Sequence, residues 1–223
     1  MALVGILGDA HGEFDIIFDT IKRNPDVKRW FQVGDLGGKF DFYPSFPENF
    51  HFIQGNHENW DYVAGLKEAE NPLFLPNGSL TWYRSSGDTY LVGVLGGNYS
   101  AKQYRNKTES LRGDRRRHFT EEDYESLVVL RRNLDRTLDR SVRVDILLTH
   151  EAPSPYTKGF GDIGIELVTG LLREIKPNIH FFGHHHKFKL MDTCGVISVG
   201  MGRVSESYVL YDTEDKRIRN IEV

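Results

Sequence analysis

Asp9, His11, Asp35, Asn56, His57, His150, His184 and His186 are the residues of this 223-residue chain whose types and spacing could do chemistry together. Each follows a short apolar run: "LVGIL" leads to "GDAHG", "WFQV" to "GDLGG", "HFIQ" to "GNHE", "DILL" to "THE" and "IHFF" to "GHHH". Taken singly, an Asp or His in such a place is more often a turn former or a satisfied polar group than a ligand. Taken together they offer oxygen and nitrogen donors without thiolate. Such a set suits borderline divalent cations such as Mn, Fe, Zn, Ni or Co rather than a structural cysteine-type zinc site. Asp9, His11, Asp35, Asn56, His150, His184 and His186 are more donors than one tetrahedral ion uses. Two ions about 3.5–4 Å apart, bridged by Asp35, would use them all and match the arrangement that serves in-line displacement at phosphorus. Residues i and i+2 of an extended chain project to the same side, so "GHHH" is expected to aim His184 and His186 at the site while His185 faces away.

For this to work, five strand ends must converge, and the elements read from the sequence allow it. Strands are expected over 2–7, 29–33, 50–54, 80–84, 89–95, 144–149 and 179–182, with the turn-prone "SSGD" between the fourth and fifth. Amphipathic helices are expected from Glu13 to Arg23, from Thr120 with a capping box to Asp123, and over 164–175 before Pro177. The tail, "VISVG", "SYVLYD" and "RIRNIEV", reads as short strands finishing a second sheet. In an open α/β sheet ligands bind outside the carboxyl ends of the strands, so the separated motifs can meet there.

Composition sets the bounds. With 39% hydrophobic and 27% charged residues the chain suits one globular domain over 1–223. A net charge of −4 gives no global basic field, so any phosphate must be held by a local site. One cysteine, Cys194, excludes an internal disulfide framework. The opening "MALVGILGD" has no basic leader region and no membrane span, so no membrane partner and a cytoplasmic location are expected. Residues 97–119, rich in Lys and Arg, read as a surface insertion beside the site that shapes substrate choice. Its "RGDRRR" run, with Tyr99 and Tyr104 for stacking, offers a weak case for nucleic acid against the commoner solvated charge run. "GMGR" could bring Arg203 near a phosphate, and Asn98 could face the substrate.

The motifs "DAH", "GDLG", "GNHE", "TH" and "GHHH", in this order from residue 9 to 186, resemble the signature of the calcineurin-like metallophosphoesterase superfamily. The resemblance implies a four-layer α/β/β/α sandwich of two mixed β-sheets flanked by helices, with the metal site at the strand C-terminal ends. It implies two divalent cations, manganese foremost, with Asp9, His11 and His186 on one, Asn56, His150 and His184 on the other and Asp35 bridging. It also implies a hydrolase of phosphomonoesters or phosphodiesters, in which a hydroxide between the ions attacks phosphorus in line. Asn56 would neutralise charge and His57, not a ligand, would assist the leaving oxygen. Nucleotide, nucleic acid and phosphoprotein all remain open as substrates, and so does the oligomeric state. One departure stands out: the second motif of the family carries an Asp that orients the catalytic histidine, and here that position is Gly38. Asp41 and Glu58 are candidates to replace it. The same departure favours an alternative, a catalytically weak or inactive scaffold on this fold, which the full set of ligand histidines opposes.

Overall fold

Runs such as "LVGIL" and "DILLT" have no polar face, so the strands they form must be covered on both sides. The computed structural model, which describes residues 3–39, 41–85, 88–139, 141–157 and 161–223, shows how. In chain order the elements are β1 (Leu3–Leu7), α1 (Phe14–Arg23), β2 (Arg29–Gln32), β3 (Phe50–Phe52), α2 (Trp60–Glu68), β4 (Leu80–Ser85), β5 (Asp88–Leu95) and α3 (Ala101–Tyr104). They continue with α4 (Glu121–Leu138), β6 (Ile146–Thr149), α5 (Glu166–Ile175), β7 (Ile179–Phe182), β8 (Lys189–Thr193), β9 (Val196–Gly200), β10 (Ser207–Asp212) and β11 (Ile218–Glu222). Two 3₁₀ turns, Thr108–Ser110 and Gly113–Arg117, lie between α3 and α4.

One sheet has the order β11-β10-β1-β2-β3 and the other β4-β5-β6-β7-β9-β8. Strands β1, β2 and β3 are parallel, as are β5, β6, β7 and β9; β10, β11, β4 and β8 pair antiparallel. Side chains alternate across each strand, so neighbouring residues fall into different layers. Ile6, Phe31 and Val209 of the first sheet meet Val94, Leu148 and Phe181 of the second in the central core. Leu7 and Trp30 pack the other way against Ile17 of α1 and Val63 of α2, while Leu91 and Leu147 face Leu127 of α4 and Leu172 of α5. Four layers result, as expected. The tail departs from expectation: β9 belongs to the second sheet, but β10 and β11 return to the first, with Val209 registered against Ile6.

Several boundaries match the sequence signals. Thr120 and Asp123 form the reciprocal capping box at the start of α4. Helix α2 and edge strand β8 occupy stretches that carried no clear signal, and α2 begins at Asn59, whose side chain accepts from the Tyr62 amide. The turn expected at 85–88 falls partly outside the described residues. Among the described residues no helix is long and apolar enough to cross a membrane.

Candidate metal centre

All five motifs sit where the parallel strands end: Asp9 and His11 after β1, Asp35 after β2, Asn56 and His57 after β3, His150 after β6, His184 and His186 after β7. Their backbone is tightly turned. His11, Asp35, His184 and His186 all have left-handed φ, at 46°, 58°, 68° and 53°. Non-glycine residues adopt this region at a cost and hold it where surrounding structure enforces it. The expectation that extended-chain alternation aims the histidines is therefore corrected: left-handed turns do so. The outcome is the one expected, because His184 and His186 face the centre and His185 turns away to stack on Tyr156, ring centroids 4.5 Å apart. The amides of Ala10 and His11 both donate to the Asp35 carbonyl at 2.9 Å, tying the first loop to the second.

The side chains converge in two groups that share one member. Asp9, His11, Asp35 and His186 each offer an atom within 4.8 Å of the others, and so do Asp35, His150 and His184. On the first side Nε2 of His11 and Nε2 of His186 lie 3.0 Å apart, and Asp9 Oδ2 is 2.9 Å from His186 Nε2 and 3.9 Å from His11 Nε2. That oxygen is buried and makes no hydrogen bond. A buried carboxylate oxygen that makes no hydrogen bond yet is ringed by imidazole nitrogens is what a cation site requires, so the residues fit a divalent metal. On the second side His150 Nε2 lies 3.5 Å from Asp35 Oδ1 and 3.0 Å from Asn56 Oδ1. Its Nδ1 donates to the Val33 carbonyl at 2.8 Å, which turns Nε2 toward the centre. Asp35 Oδ1 accepts the amides of Asn56 and His57 at 2.6 and 2.7 Å, while Oδ2 faces His11 at 3.8 Å.

The charges of the metal-free centre are set by this packing. Burial works to strip the proton from His150, but the Asp35 charge and hydrogen bond outweigh it and hold the imidazole up at about 10. Burial likewise raises Asp35, and the His150 charge overrides it, so the carboxyl lies below its usual range. His184 is pushed down to about 4 by burial and then by the His150 charge. The centre thus holds one ion pair, Asp35 with His150, and in His184 a neutral imidazole poised as a donor.

Close approach of backbone makes this possible. A Cβ on Gly55 would stand 2.1 Å from Asp35 Oδ1 and 2.2 Å from the Asp35 amide nitrogen. Gly55→Ala is therefore expected to displace the shared carboxylate and lower metal content, read by elemental analysis of the purified variant. Unchanged metal content would show that the loop can shift without cost.

Gly38 does not leave a void. A Cβ there would meet Asp41 Oδ2 at 3.1 Å, and one on Gly12 would meet the same oxygen at 3.0 Å. The Asp41 carboxylate, which accepts from the Gly38 amide, fills the space a side chain at 38 would enter. Glu58 is committed elsewhere: it accepts from the amides of Leu36 and Gly55 at 3.1 and 3.2 Å and from the Tyr43 hydroxyl. Burial, then the Asp35 charge, raise Glu58 to about 8. Among the described residues neither carboxylate is hydrogen-bonded to the His57 ring, whose centroid lies 5.6 Å from that of His11.

Other residues complete the picture. Glu151, buried behind His150, was not singled out by sequence; its Oε2 stands 4.0 Å from His184 Nε2, and the only signal was its place in "THE". Arg203 does reach the centre, with Nε 3.4 Å from His186 Nδ1. His180 and His51 are structural: His180 joins Thr149 and Ser198, and His51 binds the Pro72 carbonyl and Arg29. The 97–119 segment is more than a solvated loop, since Tyr99, Tyr104 and Phe119 pack together against α4, β5 and β6. Those tyrosines are thus engaged in packing rather than presented for base stacking.

A model of the family described as calcineurin-like phosphoesterase matches residues 2–188. No curated protein sequence matches the chain. Among solved structures, TT1561 of Thermus thermophilus superposes with a TM-score of 0.67 at 15% identity, covering 99% of this chain and 98% of that one. GAP50 of Plasmodium superposes at 0.57 and 12%, covering 100% and 88%. At these identities the superpositions speak for the fold. With the family model spanning most of the sequence and the architecture that goes with it, the chain belongs to the calcineurin-like phosphoesterase family.

Proposed function

We propose that the chain is a two-metal-dependent phosphoester hydrolase. Asp9, His11 and His186 would hold one divalent cation, Asn56, His150 and His184 the other, and Asp35 both. The observation that carries this reading is the membership of Asp35 in both donor groups, with one carboxylate oxygen turned to each. Divalent cations there would supply charge against the negative oxygens of the transition state and acidify a water for attack on phosphorus. The chain itself does the rest. Asn56, its Oδ1 engaged with His150, has an amide Nδ2 to donate to a phosphoryl oxygen. Its neighbour His57 stands at the mouth of the centre, where an imidazole nitrogen can carry a proton to the leaving oxygen.

The test is hydrolysis of p-nitrophenyl phosphate and bis-p-nitrophenyl phosphate by metal-stripped protein resupplied with Mn²⁺, beside the variant His57→Ala. Turnover is expected to fall by about 10²–10⁴-fold in the variant, with metal content retained. Loss of metal from the variant would instead make His57 a ligand. A scaffold role is the second reading. It draws on the missing carboxylate at Gly38 and on the likeness to GAP50, described as the anchor in the inner membrane complex of Plasmodium. Bound metal with no turnover of either substrate would favour it.

A further inference from the structure

A chain with net negative charge must hold a second anion with cations placed locally, and two stand beside the centre. A cavity of about 120 Å³ opens against Asn56 and His57, walled by Lys39, Glu58, Trp60, Asp114 and Arg117. Lys39 comes from the loop that carries Asp35. Arg117 and Asp114 come from the 3₁₀ turn in "RGDRRR", and this turn is fastened down rather than solvated. Arg116 donates to the Trp60 carbonyl and pairs with Asp61, both at 2.8 Å. The carbonyls of Arg116 and Arg117 accept from Gln54 Nε2 at 3.1 Å and from the Asn98 amide at 2.9 Å. The backbone of Arg117 is therefore fixed beside His57 by the fold, while its side chain stays exposed. Lys39 Nζ lies 3.1 Å from Asp114 Oδ1, but both side chains are more than half exposed, so that pair is weak and open to exchange for another anion.

We infer that this cavity is the subsite for a second phosphate, the one directly following the leaving oxygen of a phosphoanhydride substrate. The inference rests on the phosphoesterase reading and on His57 as the acid at that oxygen. The size of the cavity suits a small occupant. The volume equals about four water molecules at roughly 30 Å³ each. It is far below the roughly 300–1,000 Å³ of a site that encloses a drug-sized ligand. One phosphate fits, and anything attached to it projects outward. In a nucleic-acid chain a sugar separates consecutive phosphates and would have to take this space itself. Of the two carboxylates in the wall, Glu58 is engaged by the amides of Leu36 and Gly55 and by the Tyr43 hydroxyl, which leaves Lys39 and Arg117 facing Asp114 and favours an anion, and the planar guanidinium of Arg117 can hold a phosphate through two parallel hydrogen bonds.

The metal-loaded full chain is assayed with ADP, whose leaving group begins with a phosphate, and with p-nitrophenyl phosphate, whose leaving group carries none. Arg117→Ala and Lys39→Ala are each expected to lower the ratio of kcat/KM for ADP to that for p-nitrophenyl phosphate by about 10–100-fold, the worth of one hydrogen bond to a charged group. Asp114→Asn, which removes the carboxylate charge beside Lys39, is expected to lower KM for ADP. Calorimetric binding of methylenediphosphonate against methylphosphonate reads the subsite without turnover, and the two alanine variants should lose the preference for the diphosphonate. An unchanged ratio, a wild type that binds both phosphonates equally, or binding of neither would overturn the subsite. Absence of turnover of both substrates, with the diphosphonate preference intact, would instead contradict the hydrolase reading and leave the subsite standing.

Discussion

Asp35→Asn is expected to release at least one of the two cations and to lower turnover by more than the roughly 10–100-fold that loss of an outer partner of a metal ligand costs. The fold should survive, because one oxygen is enough to accept the amides of Asn56 and His57 that Asp35 Oδ1 now binds. Charge is what the variant loses. His150, held protonated by Asp35 in the metal-free chain, would lose the interaction that keeps its imidazole at about 10 and return toward the low value that burial favours. NMR titration of His150 in the metal-free variant tests this separately from catalysis. An unshifted His150 would show that Asp35 is not its controlling charge.

Metal is expected to flatten the alkaline limb of the stability profile. In the metal-free chain His150 is raised from 6.5 to about 10, so its contribution is complete below pH 6.5 and fades as pH rises toward 10. Glu58, raised from 4.5 to about 8, adds stability at low pH that is lost over that interval. His51, His180 and His184 are pushed down to about 4, 3 and 4, so the unfolded chain takes up protons that the fold refuses, and stability falls as pH drops below 6.5. Between pH 4.5 and 6.5 these histidines, with His11 and His118 lowered by burial in the same way, outweigh the buried carboxyls of Glu58, Asp145 and Glu151 that are raised, so stability climbs with pH across this window. Above 6.5 His150 and Glu58 act together with the opposite sign. The metal-free maximum therefore lies near pH 6.5. A cation must displace the proton of His150, so its affinity grows with pH and offsets the alkaline loss. At a hundredfold excess over Kd one site adds about 2.7 kcal/mol, a rise in Tm of about 5–11 °C for a chain of this size. Thermal melts from pH 5 to 9 with and without Mn²⁺ check this, and parallel curves would contradict it.

The candidate site residues stand out in the sequence because each lies directly after a continuous apolar run, where both the strand and its end are visible in one dimension. The layers were legible for the same reason. What the sequence did not show depends on backbone turns and on returns of the chain. Left-handed φ at His11, Asp35, His184 and His186 has no marker in residues that usually avoid it. The return of β10 to pair with β1 is a choice between two sheets with equally apolar edges. Helix α2 has a good cap at Asn59 but carries Gly65 in its middle, which weakens the helical signal. The Asp41 carboxylate beside Gly38, and Arg117 beside His57, arise from loop folding that spacing does not encode.

The most direct test of the central claim is the number of metal ions per chain. Protein stripped by chelation, reloaded with Mn²⁺ and desalted is analysed by elemental mass spectrometry beside Asp35→Asn. Two ions per chain in the wild type and one or none in the variant is the predicted result. Two ions in both, or no bound ion in the wild type, would contradict a centre built around a shared Asp35.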